Sequence, residues 1–359
     1  MEPNTFALSR TETDTLKGIA ILAMLLHHLY CSIPSWIEPY NGFFFEIGAF
    51  GKVCVSIFLF CSGYGLSVQY KTISDIKGTI SFLLKRLFSF YINYWIIFLL
   101  FVPVTILFFG RSLSDVYGND SIFLQLVIDI LGFKGEGSYN ITWWFNELIL
   151  ILYFLFPFLY LFAKKSCLAL LACSFILCRF WMSIVGYDLS ANLDLYQLSF
   201  VAGIVYFVVL DKNRYNKWLL KIGNLRHRGV LLAFLSVLLL SICVVIRSFQ
   251  IIPHWSGARV DVFVTLAIVL VVKNILKYFG CVIKLFGFLG KHSSNIYLIH
   301  TFFNIYWGFY WLHTVPIMRN GLNFIVLLAI SLSASIIIEW IKTKIGVYKL
   351  LNTVKNKLS

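Results

Sequence analysis

Charged residues are scarce in this chain. Asp, Glu, Lys and Arg make up 13% of its 359 residues, whereas about a quarter is usual in soluble domains. Acidic residues are the rarer kind, since 16 Asp and Glu stand against 30 Lys and Arg. Hydrophobic residues account for 60% of the chain, which is more than a soluble core of this length can bury. The composition therefore excludes a soluble globular protein and indicates that lipid is the solvent for most of the chain.

Several patterns that would indicate other functions are missing. The eight cysteines include no Cys-x-x-Cys pair and fall mostly within apolar runs, so we expect neither disulfides nor a metal site. No internal repeat is visible, although transporters usually carry one. Glu2, Glu12 and Asp14 precede the first apolar run and no small-residue cleavage pattern follows it, so we expect this run to stay in the mature protein.

Apolar runs recur along the whole chain, and a bilayer crossing needs about 20 such residues. They predict ten transmembrane helices, near 16–33, 47–66, 87–109, 143–163, 166–186, 195–210, 229–247, 260–277, 292–312 and 322–341. We therefore expect an all-α polytopic membrane protein in which residues 1–359 form a single integral-membrane domain. Segment 110–142 is the longest stretch between spans on its side of the membrane. Its apolar run 122–131 is too short to cross, so we interpret it as an interfacial or re-entrant piece.

The basic residues orient this arrangement. With ten spans, both termini lie on one side, and that side carries 23 of the 30 Lys and Arg residues. The seven on the other side are Lys52, Arg111, Lys134, Arg179, Arg247, Arg259 and Arg319. Basic residues favour cytoplasmic loops, so we expect a cytoplasmic N-terminus and a cytoplasmic C-terminus. This orientation signal also explains the net charge of +14 without a nucleic-acid partner.

Two ionisable residues of the first span share one helical face. Lys17 and His28 are eleven residues apart, which in a helix places them within about 20° of each other and about 16 Å apart along the axis. Ionisable groups within a membrane are costly and usually serve a function. The pair suggests a polar track from a cytoplasmic cation to a mid-membrane histidine that acts as a base. A packed histidine that bonds a neighbouring helix is the alternative, and we consider the adjacent His27 structural.

Three further residues are candidates for chemistry on the same grounds. His300 lies at mid-depth in the ninth span, and Tyr297 shares its helical face three residues earlier. Glu147 opens the fourth span near its outer end, where it could also simply complement the helix dipole. Each of these residues has a packing role as its plain alternative.

Four stretches in order resemble the acyltransferase type 3 family of integral-membrane acyltransferases. They are Lys17-Gly18-Ile19-Ala20 with His28, then Ser56 to Tyr64, then Trp144 through Tyr153 to Pro157, and last Gly290 to His300. Each motif alone is weak, but their order covers nearly the whole chain. The chain departs from the family pattern at Ser56, where many members have Asp, and at Ser89, where a second Arg is common.

The resemblance implies an O-acyltransferase that transfers an acetyl group from acetyl-CoA to a hydroxyl of a cell-envelope polysaccharide or its lipid-linked precursor. It implies the bacterial cytoplasmic membrane as the location. His28 would be the central base or an acyl relay. The catalytic candidates are His28, Tyr297, His300 and Glu147. The candidates for binding the donor are Lys17, Arg86, Ser62 and Tyr64, the first two through the CoA phosphates.

Three other functions compete with this interpretation. A glycolipid transporter or flippase would need matching halves with broken helices. A glycan polymerase tends to carry a larger polar outer loop than 110–142. A non-catalytic partner in glycan assembly would bind without making an acylated product. A carbohydrate or glycolipid acceptor and the lipid bilayer are the expected partners, and glycan-assembly proteins or a second copy of the chain stay open.

Overall fold

A computed structural model describes residues 7–33, 35, 37–133, 137–184, 187–211, 228–251 and 257–358, with the side chains of 177–191, 228 and 320 left aside. Within these ranges the chain is helical and forms no strand. The helices are α1 (Arg10–Tyr30), α2 (Gly42–Gly51), α3 (Cys54–Tyr70), α4 (Ile76–Phe109), α5 (Leu113–Tyr117), α6 (Ile122–Ile130), α7 (Trp144–Lys165), α8 (Cys167–Ile184), α9 (Tyr187–Asp211), α10 (Arg228–Ser248), α11 (Gly257–Asn274), α12 (Gly280–Thr301), α13 (Trp311–Thr314), α14 (Asn323–Lys344) and α15 (Val347–Lys357).

Six of the described helical segments are long and apolar enough to cross a membrane. They are Gly42–Tyr70, Ile76–Phe109, Ile141–Lys165, Asn192–Asp211, Gly229–Ser248 and Asn323–Lys344. Each contains or closely matches one predicted span, so the expectation of an all-α membrane protein is confirmed. The remaining four predicted spans fall on α1, α8, α11 and α12, and a total of ten stays a prediction. Lys134, the side chain of Arg179 and the basic segment 212–227 lie outside the described residues.

Helix ends differ from the predicted span ends where polar residues continue a helix. Helix α4 begins at Ile76, eleven residues before the predicted 87, because Asp75 caps its first turn by accepting from the Gly78 amide at 3.2 Å. Hydropathy marks the lipid-embedded part of a helix and misses its polar first turns. The predicted span 292–312 is not one helix, since α12 ends at Thr301 and a π-helical turn, Phe302–Tyr306, follows.

The chain forms two compact units. The first comprises residues 1–20, 52–72 and 155–291. Helices α3 and α9 cross closely in it, because a Cβ atom at Gly63 would lie 2.2 Å from the Phe200 carbonyl oxygen. A Cβ at Gly203 would meet the Phe60 carbonyl oxygen at the same 2.2 Å. The small residues of the second predicted span therefore serve backbone contact.

Buried polar groups tie further helices of the first unit together. Ser56 Oγ lies 2.6 Å from Ser199 Oγ and receives the Thr265 hydroxyl at 2.9 Å, which links α3, α9 and α11. Two ion pairs add to this linkage. They are Arg247 with Asp261 and Arg259 with Asp194. Polar groups in an apolar interior are stable only when they are paired, so these contacts fix which helices meet.

The second unit comprises residues 21–51, 73–154 and 292–359. Its segment 110–142 folds around Asp129, which is 1% exposed. The carboxylate accepts from the Tyr117 hydroxyl at 2.8 Å, the Ser138 hydroxyl at 2.8 Å and the Tyr139 amide at 3.0 Å. Burial raises the pKa of the Asp129 carboxyl above its ordinary value, and these donors work against that rise. The segment thus contains two short helices, α5 and α6, and is held together by hydrogen bonds to the buried Asp129 carboxylate.

Candidate active site

Two histidines from distant parts of the sequence meet in the second unit. His28 lies in the last turn of α1 and His300 near the end of α12. Their ring centroids are 4.9 Å apart and the ring planes are tilted by 50°. His300 is fully buried and His28 is half-buried. Ionisable side chains that are buried in an apolar protein are candidates for a functional site.

The hydrogen bonds of His300 settle which of its ring nitrogens carries a proton. Nδ1 lies 2.9 Å from the Tyr297 carbonyl oxygen and 3.1 Å from the Ile296 carbonyl oxygen. A carbonyl oxygen only accepts, so Nδ1 must donate and Nε2 is left with a lone pair in the neutral ring. Within the described residues, Nε2 is buried and has no hydrogen-bond partner. His300 therefore presents a buried proton acceptor.

Tyr297 anchors the segment that carries His300. Its hydroxyl donates to the Thr142 carbonyl oxygen at 2.8 Å and contacts Asn146 Oδ1 at 3.4 Å. Asn146 is 1% exposed, and its Nδ2 has no partner among the described residues. Asn146 was not among the residues predicted from the sequence, although a polar residue next to Glu147 at the start of a span is a usable signal. The second unit thus holds an unsatisfied buried donor as well as an unsatisfied buried acceptor.

Two other candidates, Glu147 and Arg86, also belong to the second unit. Glu147 follows Asn146 in α7 and is half-buried. Arg86 lies in α4, and its guanidinium carbon is 5.7 Å from the centroid of the Phe82 ring. The roles assigned to Glu147 and Arg86 stay predictions.

The remaining donor-binding candidates belong to the first unit. Lys17 pairs with Asp14 at 3.4 Å and keeps 37% of its side chain exposed. Ser62 is half-buried in α3. The Tyr64 hydroxyl accepts from the Leu8 amide at 2.8 Å and donates to the Leu8 carbonyl oxygen at 3.1 Å. Tyr64 therefore holds the segment that leads into α1.

The described residues contain no group of three His, Cys, Asp or Glu side chains that could hold a metal ion. Comparison with known proteins gives one positive result. The model of the acyltransferase domain family matches residues 10–342, which is most of the chain. None of the curated proteins and none of the solved structures matches it.

Proposed function

This chain belongs to the acyltransferase type 3 family, and from that premise we propose that it is a membrane O-acetyltransferase. The proposed donor is acetyl-CoA. The proposed acceptor is a hydroxyl group of a cell-envelope polysaccharide or its lipid-linked precursor. Membership supports acyl transfer in general, and the four sequence motifs support the finer assignment. The single structural observation that carries the proposal is the contact of the half-buried His28 ring with the buried His300 ring.

Acyl transfer to a hydroxyl needs a proton acceptor, and a neutral imidazole is suited to this role. In the proposed reaction the acceptor oxygen attacks the thioester carbonyl, so a C–O bond forms and the C–S bond breaks. His28 takes the hydroxyl proton, and the departing thiolate of CoA finally receives it. His300 Nε2 offers a second acceptor beside His28, because its Nδ1 proton is committed to backbone carbonyls.

The negative charge that develops on the acyl oxygen needs a hydrogen-bond donor. Asn146 supplies a candidate, since its buried Nδ2 has no partner among the described residues. Phosphates of the donor need cations, and Lys17 is a candidate because 37% of its side chain is exposed. Arg86 is a separate candidate for the same task, since its guanidinium can hold a phosphate through two hydrogen bonds.

The proposal is tested by following labelled acetyl from acetyl-CoA into extracted glycan, with membranes that contain the protein. We expect His28→Gln to lower transfer at least 100-fold, because loss of a general base typically costs 10²–10⁴-fold. His27→Gln is the matched control, since His27 bonds the Gly48 carbonyl oxygen at 3.0 Å instead. Full activity in a folded His28→Gln protein would remove His28 from the mechanism, and absence of transfer by the wild type would contradict the acetyl-CoA assignment.

A further inference from the structure

A chain of buried polar side chains in the second unit ends on the backbone of His28. Its members are Tyr30, Asn323, Tyr40, His313 and Asn304, in the order in which they are bonded. We call this set the Asn304 chain. The final link is the Asn304 amide group, whose Nδ2 lies 2.9 Å from the His28 carbonyl oxygen. None of its members is more than 4% exposed.

The direction of every hydrogen bond in the Asn304 chain follows from its final acceptor. The His28 carbonyl oxygen only accepts, so Asn304 Nδ2 donates to it and Asn304 Oδ1 faces His313 Nε2 at 2.9 Å. His313 Nε2 must then carry the proton, and Nδ1 accepts from the Tyr40 hydroxyl at 3.2 Å. The Tyr40 oxygen in turn accepts from Asn323 Nδ2 at 2.9 Å. One set of donors and acceptors therefore satisfies the chain, with His313 neutral.

Arg319 holds the middle of the chain in place. Its guanidinium carbon lies over the Tyr40 ring, 4.3 Å from the ring centroid. The same group donates to the Pro39 carbonyl oxygen at 2.9 Å and to the His313 carbonyl oxygen at 3.2 Å. This positive charge also disfavours a second one on His313. Arg319 thus holds both Tyr40 and the backbone of His313, whose ring orients Asn304.

The bond to His28 falls at the end of α1, where backbone carbonyls lack partners within the helix. The Cys31 amide donates to the His27 carbonyl oxygen at 2.9 Å, and the Asn304 side-chain amide donates to the His28 carbonyl oxygen. Asn304 stands in the π-helical turn directly after the helix that carries His300. One side chain therefore ties the residue that bears one imidazole to the segment that bears the other.

We propose that Asn304, oriented by His313 and Tyr40, is a positioning residue that fixes His28 against His300. The inference rests on the proposed acyl transfer for its catalytic meaning. Catalytic groups tolerate little displacement, and a shift of about 1 Å can cost about 100-fold in rate. Loss of the Asn304 contact should therefore lower kcat, while the KM for the acyl donor stays nearly the same.

The first test compares Asn304→Ala with Asn274→Ala in the acetyl-transfer assay. Asn274 is the matched control, because it is 7% exposed and its Nδ2 donates to Ser236 Oγ at 3.0 Å in the first unit. We expect Asn304→Ala to lower kcat about 10- to 100-fold with a donor KM within about twofold of wild type. Asn274→Ala should keep its kcat. Equal kcat values for Asn304→Ala and the wild type would overturn the inference.

A second pair of variants covers the case in which Asn304→Ala does not fold. His313→Gln keeps an amide donor near the position of Nε2, so it should stay within about threefold of wild-type kcat, whereas His313→Leu should match the loss expected for Asn304→Ala. Rescue by Gln separates positioning from mere filling of space. Equal activity of the two His313 variants would contradict the inference.

The third measurement does not depend on acyl transfer. Hydrogen–deuterium exchange should become faster in residues 25–33 of Asn304→Ala, because the last turn of α1 loses its cap, and should stay at the wild-type rate there in Asn274→Ala. Unchanged exchange in 25–33 would overturn the inference even if the wild type transfers no acetyl group. An inactive His28→Gln beside a fully active Asn304→Ala would leave the proposed function standing and remove the positioning role.

Discussion

Single buried polar residues of this protein differ in whether the protein itself satisfies them. Lys342 is 4% exposed, and its ammonium group contacts oxygens of Asn93, Asn295 and Glu339. Three acceptors match the three protons of an ammonium group, so Lys342 has a structural role. His300 contrasts with it, because its buried Nε2 has no partner among the described residues. A buried group left unsatisfied by the protein is the one that a substrate can use.

At this scale we predict a dependence of stability on pH through His313, which lies in α13. Burial lowers the pKa of His313 to about 4, and the neighbouring Arg319 charge adds to this effect. The unfolded residue titrates near its ordinary value of about 6.5, so the unfolded chain binds the proton first. The stabilisation is complete above pH 6.5 and falls by up to about 3 kcal/mol as the pH drops towards 4.

Thermal unfolding of the purified protein in detergent at several pH values measures this effect. The advantage of the wild type over His313→Gln should shrink between pH 7.5 and pH 4.5, because only the wild type carries the titrating ring. The Tyr40 hydroxyl donates to the same ring and Arg319 donates to the His313 carbonyl oxygen, and both residues are present in the wild type and in His313→Gln. A stability difference that is independent of pH would contradict the prediction.

At the scale of elements, α1 and α12 approach each other within the first unit through glycines. A Cβ atom at Gly18 would lie 2.0 Å from the Phe286 carbonyl oxygen, and one at Gly290 would lie 1.8 Å from the Asp14 carbonyl oxygen. Both glycines belong to the motifs on which the family resemblance rests. The structure gives them a packing role, since helix backbones come this close only where side chains are absent.

We therefore expect Gly290→Ala to destabilise the protein strongly, because the Asp14 backbone cannot yield to a Cβ atom at 1.8 Å. Gly287→Ala is the control in the same helix, since its Cβ would meet only Thr15 Oγ1 at 4.0 Å. Alanine favours a helix over glycine by about 1 kcal/mol, so this control should be neutral or slightly stabilising. Melting temperatures of the two variants measure this difference in stability, and equal values would refute the close approach of α1 and α12.

At the scale of the whole molecule, several of the cations on which the predicted orientation rests also make contacts within the protein. Three of the cations predicted to lie outside are ion-paired, namely Arg247, Arg259 and Arg319. Arg111 lies 4.0 Å from the centroid of the Tyr306 ring and donates to two backbone carbonyls. These four cations serve contacts within the protein. Lys17, Lys273 and Lys342 on the predicted cytoplasmic side are ion-paired as well, so cytoplasmic termini stay a prediction from the distribution of Lys and Arg.

This orientation predicts the behaviour of reporter fusions in the membrane. Green fluorescent protein should fluoresce at both termini, and alkaline phosphatase should be inactive there, because both termini are predicted to face the cytoplasm. A phosphatase inserted between Asn119 and Asp120, in the turn between α5 and α6, should be active. Active phosphatase at either terminus would contradict the predicted orientation, and opposite sides for the two termini would exclude an even number of spans.

The sequence by itself determined the solvent, the helical class and several residues of the candidate site. Composition and hydropathy report on the chain's own local surroundings, which is why the apolar runs and the deep His28 and His300 were visible. The ends of the helices were harder to predict from the sequence, because the cap residue Asp75 starts α4 well outside its apolar part. The break after Thr301 was not foreseen, since the apolar run continues through the π-helical turn.

Only the tertiary structure decided which of these groups meet. His28 and His300 are far apart in the chain, and their contact depends on how α1 and α12 pack in the second unit. Asn304 and His313 looked like ordinary residues at the end of a span until their bonds to one another and to the His28 carbonyl placed them in one chain. Periodicity gives the face on which a residue lies, whereas hydrogen bonds between distant segments depend on the packing of the helices that carry them.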